Sequence, residues 1–492
     1  MRTAMLGFIF ALQVAVLGCG SGATSKINTT LTSSAHPGGS NPTGNPSTGG
    51  ISIFPATETL RIGGLRRFSG WDSGVGQYDV TWSLQEGAAA GTITADGLYT
   101  APSAPGTFHL IATSSHNTSL SSTAPLTVVS VGFATAAPMA SARVGHTATL
   151  LSDGSVLVAG GTSGANPSAE LYIPASSSFI STSGAMVYPR SGHSAALLPN
   201  GWVLVVGGGD GHGNFFKTAE LFNPVTRSFS ATGDLNQART GATATSLPNG
   251  NVLIAGGQDA SGNLLSSAEL YDMSTGVFTL TGSMRHPRSQ HTATLLANGK
   301  VLMLGSMKET EEAELYDSVS GIFATTGSLL QARAHHTATL LPNGNVLVAG
   351  GTQVMPPGGG GAPAAPVSLD SVEIYDPVQG VSRNAGRLLT ARDSHSATLL
   401  ANGTVLLAGG FVHDFDGDAQ SEWYTIFRAE VFDPVASLST AAASLEGDRA
   451  EHLATTLDHG KILITGGISG YQELCCIPHP YTVSLAGAEL YK

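Results

Sequence analysis

The chain has 492 residues, of which 63 are glycine, 11% are charged and 7% are aromatic, and its 34 Asp and Glu outweigh 22 Lys and Arg to leave a net charge of −12. That length exceeds one ordinary domain, and the acidic balance excludes a nucleic-acid binder, which needs a basic face. With 41% hydrophobic residues and a mean hydropathy of +0.13, there is ample material for packed cores, and at least two domains are expected.

Arg2 gives the amino terminus one positive charge, and the run from Ala4 to Val16 is almost wholly apolar but too short to span a bilayer. It ends in Val16-Leu17-Gly18-Cys19. A small residue before a Cys, just past a short apolar core, resembles a bacterial lipobox. The resemblance implies that residues 1–19 are a lipoprotein signal peptide and that Cys19 is lipidated, so that the membrane is a partner through a lipid anchor. A plain secretory signal with an incidental Cys is the alternative. Several acyl chains on one Cys anchor stably where one would not. Gly20 rather than Asp after the Cys implies, by analogy with enterobacterial sorting, an outer-membrane lipoprotein of the cell envelope.

Residues 20–50 are mostly Ser, Thr, Gly, Pro and Asn, a composition that cannot offset its ordering entropy, and they read as a tether. Residues 51–130 carry short β-rich runs such as Val80-Thr81-Trp82-Ser83-Leu84 and Phe108-His109-Leu110-Ile111-Ala112 between Gly and Pro turns. Together with Gly91-Thr92-Ile93-Thr94-Ala95-Asp96-Gly97-Leu98-Tyr99, these runs resemble bacterial Ig-like domains, which implies a small β-sandwich with Trp82 in its core. The paired Cys of antibody domains is missing.

From residue 131 to 492 the chain repeats itself. The phrase Arg143-Val144-Gly145-His146-Thr147-Ala148-Thr149-Leu150 returns at Arg190, Arg239, Arg288, Arg333, Arg392 and Arg449, an average step of 51 residues over the six steps from 143 to 449. Each copy continues with a turn such as Pro199-Asn200-Gly201, an apolar run such as Val203-Leu204-Val205-Val206, a Gly-Gly pair, a variable loop and Ala-Glu-Leu-Tyr or a variant, and every copy but the last adds a final short strand. The apolar runs do not alternate, as expected of strands buried on both faces. Four strands per unit in seven units describe an all-β propeller. The Gly-Gly after the second strand and the aromatic after Glu in the third resemble kelch repeats and galactose-oxidase-like propellers. Gly305-Ser306 is a degenerate pair whose copy is still expected to form a blade.

The last copy stops at Glu489-Leu490-Tyr491-Lys492, one strand short, and an open edge invites aggregation. Val131-Gly132-Phe133-Ala134-Thr135 matches the missing strand, so the upstream segment is expected to complete blade seven and to place Phe133 beside Tyr491.

Periodic charges stand out in a chain so poor in them. Glu170, Glu220, Glu269, Glu314, Glu373, Glu430 and Glu489 follow the seven Arg and read as structural ion-pair partners, because an unpaired charge inside a blade costs several kcal/mol. Pairing within or between blades stays open. His146, His193, His291, His336, His395 and His452 sit three residues after their Arg, with Ala242 in the odd copy. Ligands of one ion must converge on it, and residues repeated around a ring do not, so these are read as hydrogen-bonded core histidines.

Binding is expected where the repeat is violated. The Arg-to-Glu interval is 27, 30, 30 and 26 residues in the first four copies, then 40, 38 and 40, so the long loops of blades five to seven should cluster. Blade six offers Asp414, Asp416, Asp418 and Glu422, hard oxygen ligands that could hold Ca²⁺, although Ala419 and Thr425 depart from an EF-hand. A solvated acidic loop is the alternative. Trp423, Tyr424, Tyr471 and Tyr481 are candidate aromatic contacts for a sugar or a protein. Cys475 and Cys476 are adjacent, leaving either a strained vicinal disulfide or two free thiols.

Two functions follow from the resemblances. One is a lipid-anchored binding or adhesion module recognising a glycan or protein ligand, with no cofactor beyond the candidate calcium. The other is a carbohydrate oxidase like galactose oxidase, which uses copper held by Tyr and His with a Tyr cross-linked to Cys. Against it, the chain has no Tyr-His dipeptide, and its only propeller Cys are the adjacent pair.

Overall fold

The computed structural model describes residues 50–492 except 76–77, 162–167, 308–310, 356–364, 416–420 and 473–480. Cys19, Asp416, Asp418, Cys475 and Cys476 therefore lie outside the described residues.

Every copy of the repeat builds a four-stranded antiparallel sheet. The apolar run is its second strand, as in Val156–Ala159, Val203–Val206 and Val252–Ala255, and all four of its residues are buried in each of the seven sheets. Both faces of that strand meet a neighbouring sheet. Val203 and Val205 pack against Leu157 and Ala159 of the first sheet, whereas Leu204 and Val206 pack against Val252 and Ile254 of the third. Full burial of one such side chain stabilises by about 1.5–3 kcal/mol, which is why alternation is absent. The first strands run around an axis, each beside the next, and Leu453–Thr456 of the last sheet lies beside Thr147–Leu150 of the first. In the last sheet Phe133–Ala136 pairs antiparallel with Ala488–Tyr491, Phe133 opposite Tyr491 with ring centroids 5.0 Å apart.

The Arg-Glu-Gly-Gly signature supplies the fasteners. Each Arg pairs with the Glu of its own repeat, at 2.6–2.9 Å from Arg143–Glu170 through Arg449–Glu489. Its guanidinium also donates to the carbonyl of the first glycine of its own Gly-Gly pair, 2.6 Å to Gly160 and 2.8 Å to Gly207. The second Glu oxygen accepts a backbone N–H three residues before the Arg, such as Val187 at 2.8 Å and Leu389 at 2.7 Å. Between sheets, the N–H at the second position of each pair donates to the Arg carbonyl of the next sheet, from Gly161 to Arg190 at 2.9 Å and finally from Gly467 back to Arg143 at 2.8 Å. A Cβ on the first glycine would lie 2.3–2.6 Å from that same carbonyl in all seven sheets. Only glycine fits so close an approach. Ser306 keeps the contact in the fourth sheet, its N–H reaching Arg333 O at 3.1 Å.

The repeated histidines are fasteners too. Each Nε2 lies 2.9–3.2 Å from a hydroxyl of the preceding sheet, Thr147 for His193 and Thr465 for His146. Burial, then the nearby Arg, lowers the pKa of His146, His193, His291 and His452 to about 3, so they stay neutral. Where Ala242 replaces the histidine, the Ser194 hydroxyl donates to the Ala242 carbonyl at 2.6 Å.

Residues before the ring form a separate β unit. Its four-stranded sheet, Glu58–Arg61, Ser121–Val129, Gly106–Ser114 and Val80–Leu84, packs Leu60, Leu110 and Leu126 with Phe68 and Tyr99 in one core, and Trp82 lies against it, partly buried. This unit docks on the segment joining the sixth and seventh sheets. Arg66 forms an ion pair with Glu58 at 3.2 Å, donates to the Leu445 carbonyl at 2.6 Å and stacks 3.8 Å from the centroid of Phe427, while Ser444 donates to Glu58 at 2.7 Å.

Replacing Glu269 by Ala should cost about 3–5 kcal/mol in urea unfolding, because Arg239 is then buried without its partner. The double replacement Arg239→Met with Glu269→Leu should cost less than that single one.

Candidate functional site

The described parts of the long loops of repeats five to seven are largely strands. They fold into hairpins on the face where the Gly-Gly pairs and the Arg phrases lie. Thr352–Met355 pairs with Ala365–Ser368, and Phe411–Phe415, Ser421–Thr425, Ile468–Gln472 and Tyr481–Ser484 form a second, four-stranded sheet with Phe411–Phe415 beside Ala365–Ser368. A hood thus rises over one arc of the ring.

Two acids that break the repeat hold it there. Asp393 follows Arg392 where other copies have Val144, Ser191, Thr240, Ser289, Ala334 and Ala450, and it is buried at 2% exposure. One carboxylate oxygen accepts from the Ser368 hydroxyl at 2.6 Å and lies 2.9 Å from His413 Nδ1, while the other accepts from Ser394 at 3.0 Å. Asp448 precedes Arg449 and accepts from the hydroxyls of Thr425 and Ser469, the latter at 2.8 Å. Short side chains at these positions elsewhere gave no sequence signal for an anchor. The departures from the repeat at Asp393 and Asp448 were that signal.

Among the predicted contact residues, the hood separates Trp423 from the tyrosines. Trp423 stands opposite His413 and packs edge to face on buried Phe411, at 5.4 Å between centroids. Tyr424 pairs with Tyr471, and Tyr471 with Tyr481, so three adjacent strands bring these positions to one register row. Asp414 stands opposite Glu422 in the first hood hairpin, while their partners Asp416 and Asp418 lie outside the described residues. Among the described residues no group of three His, Cys, Asp or Glu is placed to hold a metal.

Sequence reading missed a second set of residues, two positions after each Arg. There the backbone is left-handed in every sheet, with Gly145, Gly192 and Gly241 in the first three and Gln290, His335, Ser394 and Glu451 in the next four, at φ of +50 to +54° for the side-chain-bearing ones. Backbone hydrogen bonds chain them around the axis, Gly241 to Gly192 to Gly145 at 3.0 and 2.8 Å, and Glu451 to Ser394 to His335 to Gln290 at 2.9, 3.0 and 3.3 Å. Each non-glycine residue in this conformation costs on the order of 1–3 kcal/mol. Burial, reinforced by the charge of Asp393, pushes the Glu451 carboxyl up to about 7. Burial lowers the His335 pKa against the pull of Asp393, with His413 adding to the lowering. The axial mouth therefore holds a neutral imidazole, an amide and a carboxyl on the edge of ionisation.

Sheets with these fasteners, arranged about an axis, define a kelch-like β-propeller. The Kelch motif model matches residues 238–285. Among solved structures the chain is similar to a fungal alcohol oxidase of the AA5 family in complex with copper, at 15% identity and a TM-score of 0.55, over 73% of this chain and 76% of that one. It is also similar to the structure of YjhT, at 14% identity and a TM-score of 0.46, over 60% of this chain and 99% of that one. No curated protein matches the chain. The similarity to the oxidase is one of fold. The donor set here does not fit its copper, since the described axial ring offers Gln290, His335, Ser394 and Glu451 with no tyrosine among them, and the repeated histidines are turned to hydroxyls between sheets. No metal step is derived.

The Glu451 shift fixes a pH dependence. Its folded pKa lies above the unfolded value, so its contribution to stability is full below about 4.5 and is lost as pH rises through about 7. Thermal unfolding of Glu451→Gln should therefore lose less stability than the wild type over that window.

Proposed function

We propose that the chain is a lipid-anchored recognition module of the bacterial cell envelope. In this reading Cys19 carries the lipid, residues 20–50 are the tether, residues 51–130 form an Ig-like domain, and residues 131–492 form a seven-bladed kelch propeller closed by its upstream strand. The hooded face binds a glycan or protein ligand. The observation that carries it is the hood: the described strands in the long loops of three consecutive repeats lie side by side over a single face, and two repeat-breaking carboxylates pin them. Loops presented on a rigid scaffold are where such folds bind. Tyr424 and Tyr471, paired in register on adjacent hood strands, are residues of the type that stacks on sugars or anchors a protein.

The fold similarity to the copper oxidase supports a galactose-oxidase-like alternative only as far as the shared propeller. Copper analysis after reconstitution separates the two, because stoichiometric copper with oxidase activity on alcohols would reverse the preference.

Changing Cys19 to Ser should move the protein from the membrane fraction to the soluble one. The double change Tyr424→Ala with Tyr471→Ala should weaken binding by at least about tenfold, the loss of one or two aromatic contacts, on a glycan array or against envelope proteins captured on beads. Unchanged binding would move the ligand off the hood.

A further inference from the structure

Glycine at the left-handed position after the Arg is sufficient to build a sheet, as Gly145, Gly192 and Gly241 demonstrate in three of the seven. Four successive sheets nevertheless carry Gln290, His335, Ser394 and Glu451 there, in a conformation that L side chains disfavour. Strain of this kind clusters at functional sites, although Ser177, Arg227 and Ser437 take the same conformation in turns between strands, so the polar ends of the axial side chains, rather than the strain alone, mark a site. Ser394 has a structural use, since its hydroxyl donates to Asp393. The other three have none of that kind. Among the described residues, no hydrogen bond or ion pair is made by the side chains of Gln290, His335 or Glu451, whereas the neighbouring Asp393 is satisfied on both oxygens. Gln290 is exposed and His335 and Glu451 are half-buried, and their side-chain polar atoms are not among the fully buried unpaired ones.

We infer that Gln290, His335 and Glu451 form an axial subsite for an uncharged, hydroxyl-rich group such as the terminal residue of a neutral oligosaccharide. The inference rests on the recognition reading above and names the ligand class. Charge decides it by elimination. An anion has no counterpart here, because every Arg of the repeat is committed to its own Glu and no Lys or Arg occupies either of the two positions after any repeat Arg. A cation is poorly served as well, because Asp393 is spent on Ser368, Ser394 and His413, and burial with the Asp393 charge keeps the Glu451 carboxyl partly protonated at neutral pH. What remains is a set that both donates and accepts on adjacent positions of one arc: an amide, a neutral imidazole and a carboxyl. Vicinal hydroxyls on a sugar ring present the same alternation. On the opposite arc the same position is glycine, Gly145, Gly192 and Gly241, and adds no side chain to the site.

The test is a substitution that a structural role and a binding role answer in opposite directions. In the full-length chain, the triple variant Gln290→Gly, His335→Gly and Glu451→Gly should raise the thermal midpoint, because the strain is relieved. It should also weaken retention of neutral oligosaccharides on a glycan array by at least about tenfold, the loss of one good hydrogen bond or more. The isosteric Glu451→Gln, which keeps the size of the side chain, should fold as the wild type does and lose part of that affinity. A lowered midpoint in the triple variant would show the side chains to be structural and would overturn the subsite. So would oligosaccharide binding that survives the triple variant; if the Tyr424→Ala, Tyr471→Ala variant then abolishes it, recognition by the hood stands without the axial site. A wild-type chain that retains no neutral oligosaccharide while still capturing an envelope protein would overturn the sugar subsite and leave the recognition reading with a protein ligand.

Discussion

One buried guanidinium per repeat is the constraint from which the rest of the molecule follows. A desolvated Arg must find several acceptors at once, because each donor left unpaired away from water is costly. Here the same side chain bonds the Glu of the third strand and the carbonyl at the end of the second, as Arg190 does with Glu220, Gly207 and Thr218. It therefore fixes the connection that enters a sheet against the two strands that form its middle. The backbone of that residue does the complementary task, its carbonyl accepting from the preceding sheet. Side chain within and main chain between, repeated seven times, make a ring that does not need its loops to hold it together.

Freedom of the loops is the functional consequence. Because the fasteners lie in the Arg phrase and the Gly-Gly pair, the segment between the second and third strands can lengthen without loosening a sheet. Repeats five to seven use this freedom for the hood, and the extra length is then tied down by residues that the short-looped repeats lack. Asp393 and Asp448 sit one position either side of an Arg already immobilised by its Glu, so they inherit its rigidity. His413 and Ser368 from one side, and Thr425 and Ser469 from the other, converge on them. A hood pinned at two such points can position aromatic residues with little loss of entropy on binding.

Much of this architecture is written plainly in the chain, and the reason is periodicity. The repeat spacing, the unalternating apolar runs and the unpaired third strand at the carboxyl end each have one physical reading, and the charged positions recur because burial forces them to. What the sequence left open is what depends on direction in space. Whether Glu170 serves Arg143 or a neighbour depends on which face of the strand meets which sheet, and spacing alone does not contain that. Trp423 and Tyr424 are adjacent and look alike as aromatic contacts, yet the pleat sends one onto Phe411 and the other into the tyrosine row. Gln290, His335 and Glu451 were invisible for another reason: a left-handed residue next to a conserved-looking phrase has no compositional mark unless it is glycine, and in the copies that matter it is not.

Closure of the ring is tied to the unit that precedes it. The strand Ser121–Val129 ends that unit, and Phe133 begins the strand that completes the seventh sheet, so only three residues separate docking from closure. Gly132 lies in this span and exchanges 3.1 Å hydrogen bonds in both directions with Lys492. A Cβ there would fall 2.4 Å from that of Ala443 and 3.0 Å from that of Arg61, one belonging to the ring and the other to the docked unit. Glycine is thus required not by its backbone angle but by the closeness of two surfaces pressed together. Bringing distant chain ends into one sheet carries a loop-closure cost, and in the folded chain the contacts of Arg66 with Leu445 and of Ser444 with Glu58 hold the preceding unit against the ring beside the closing strand. The preceding unit is in this sense part of the fastening, because the closing strand itself meets the seventh sheet through only four residue pairs.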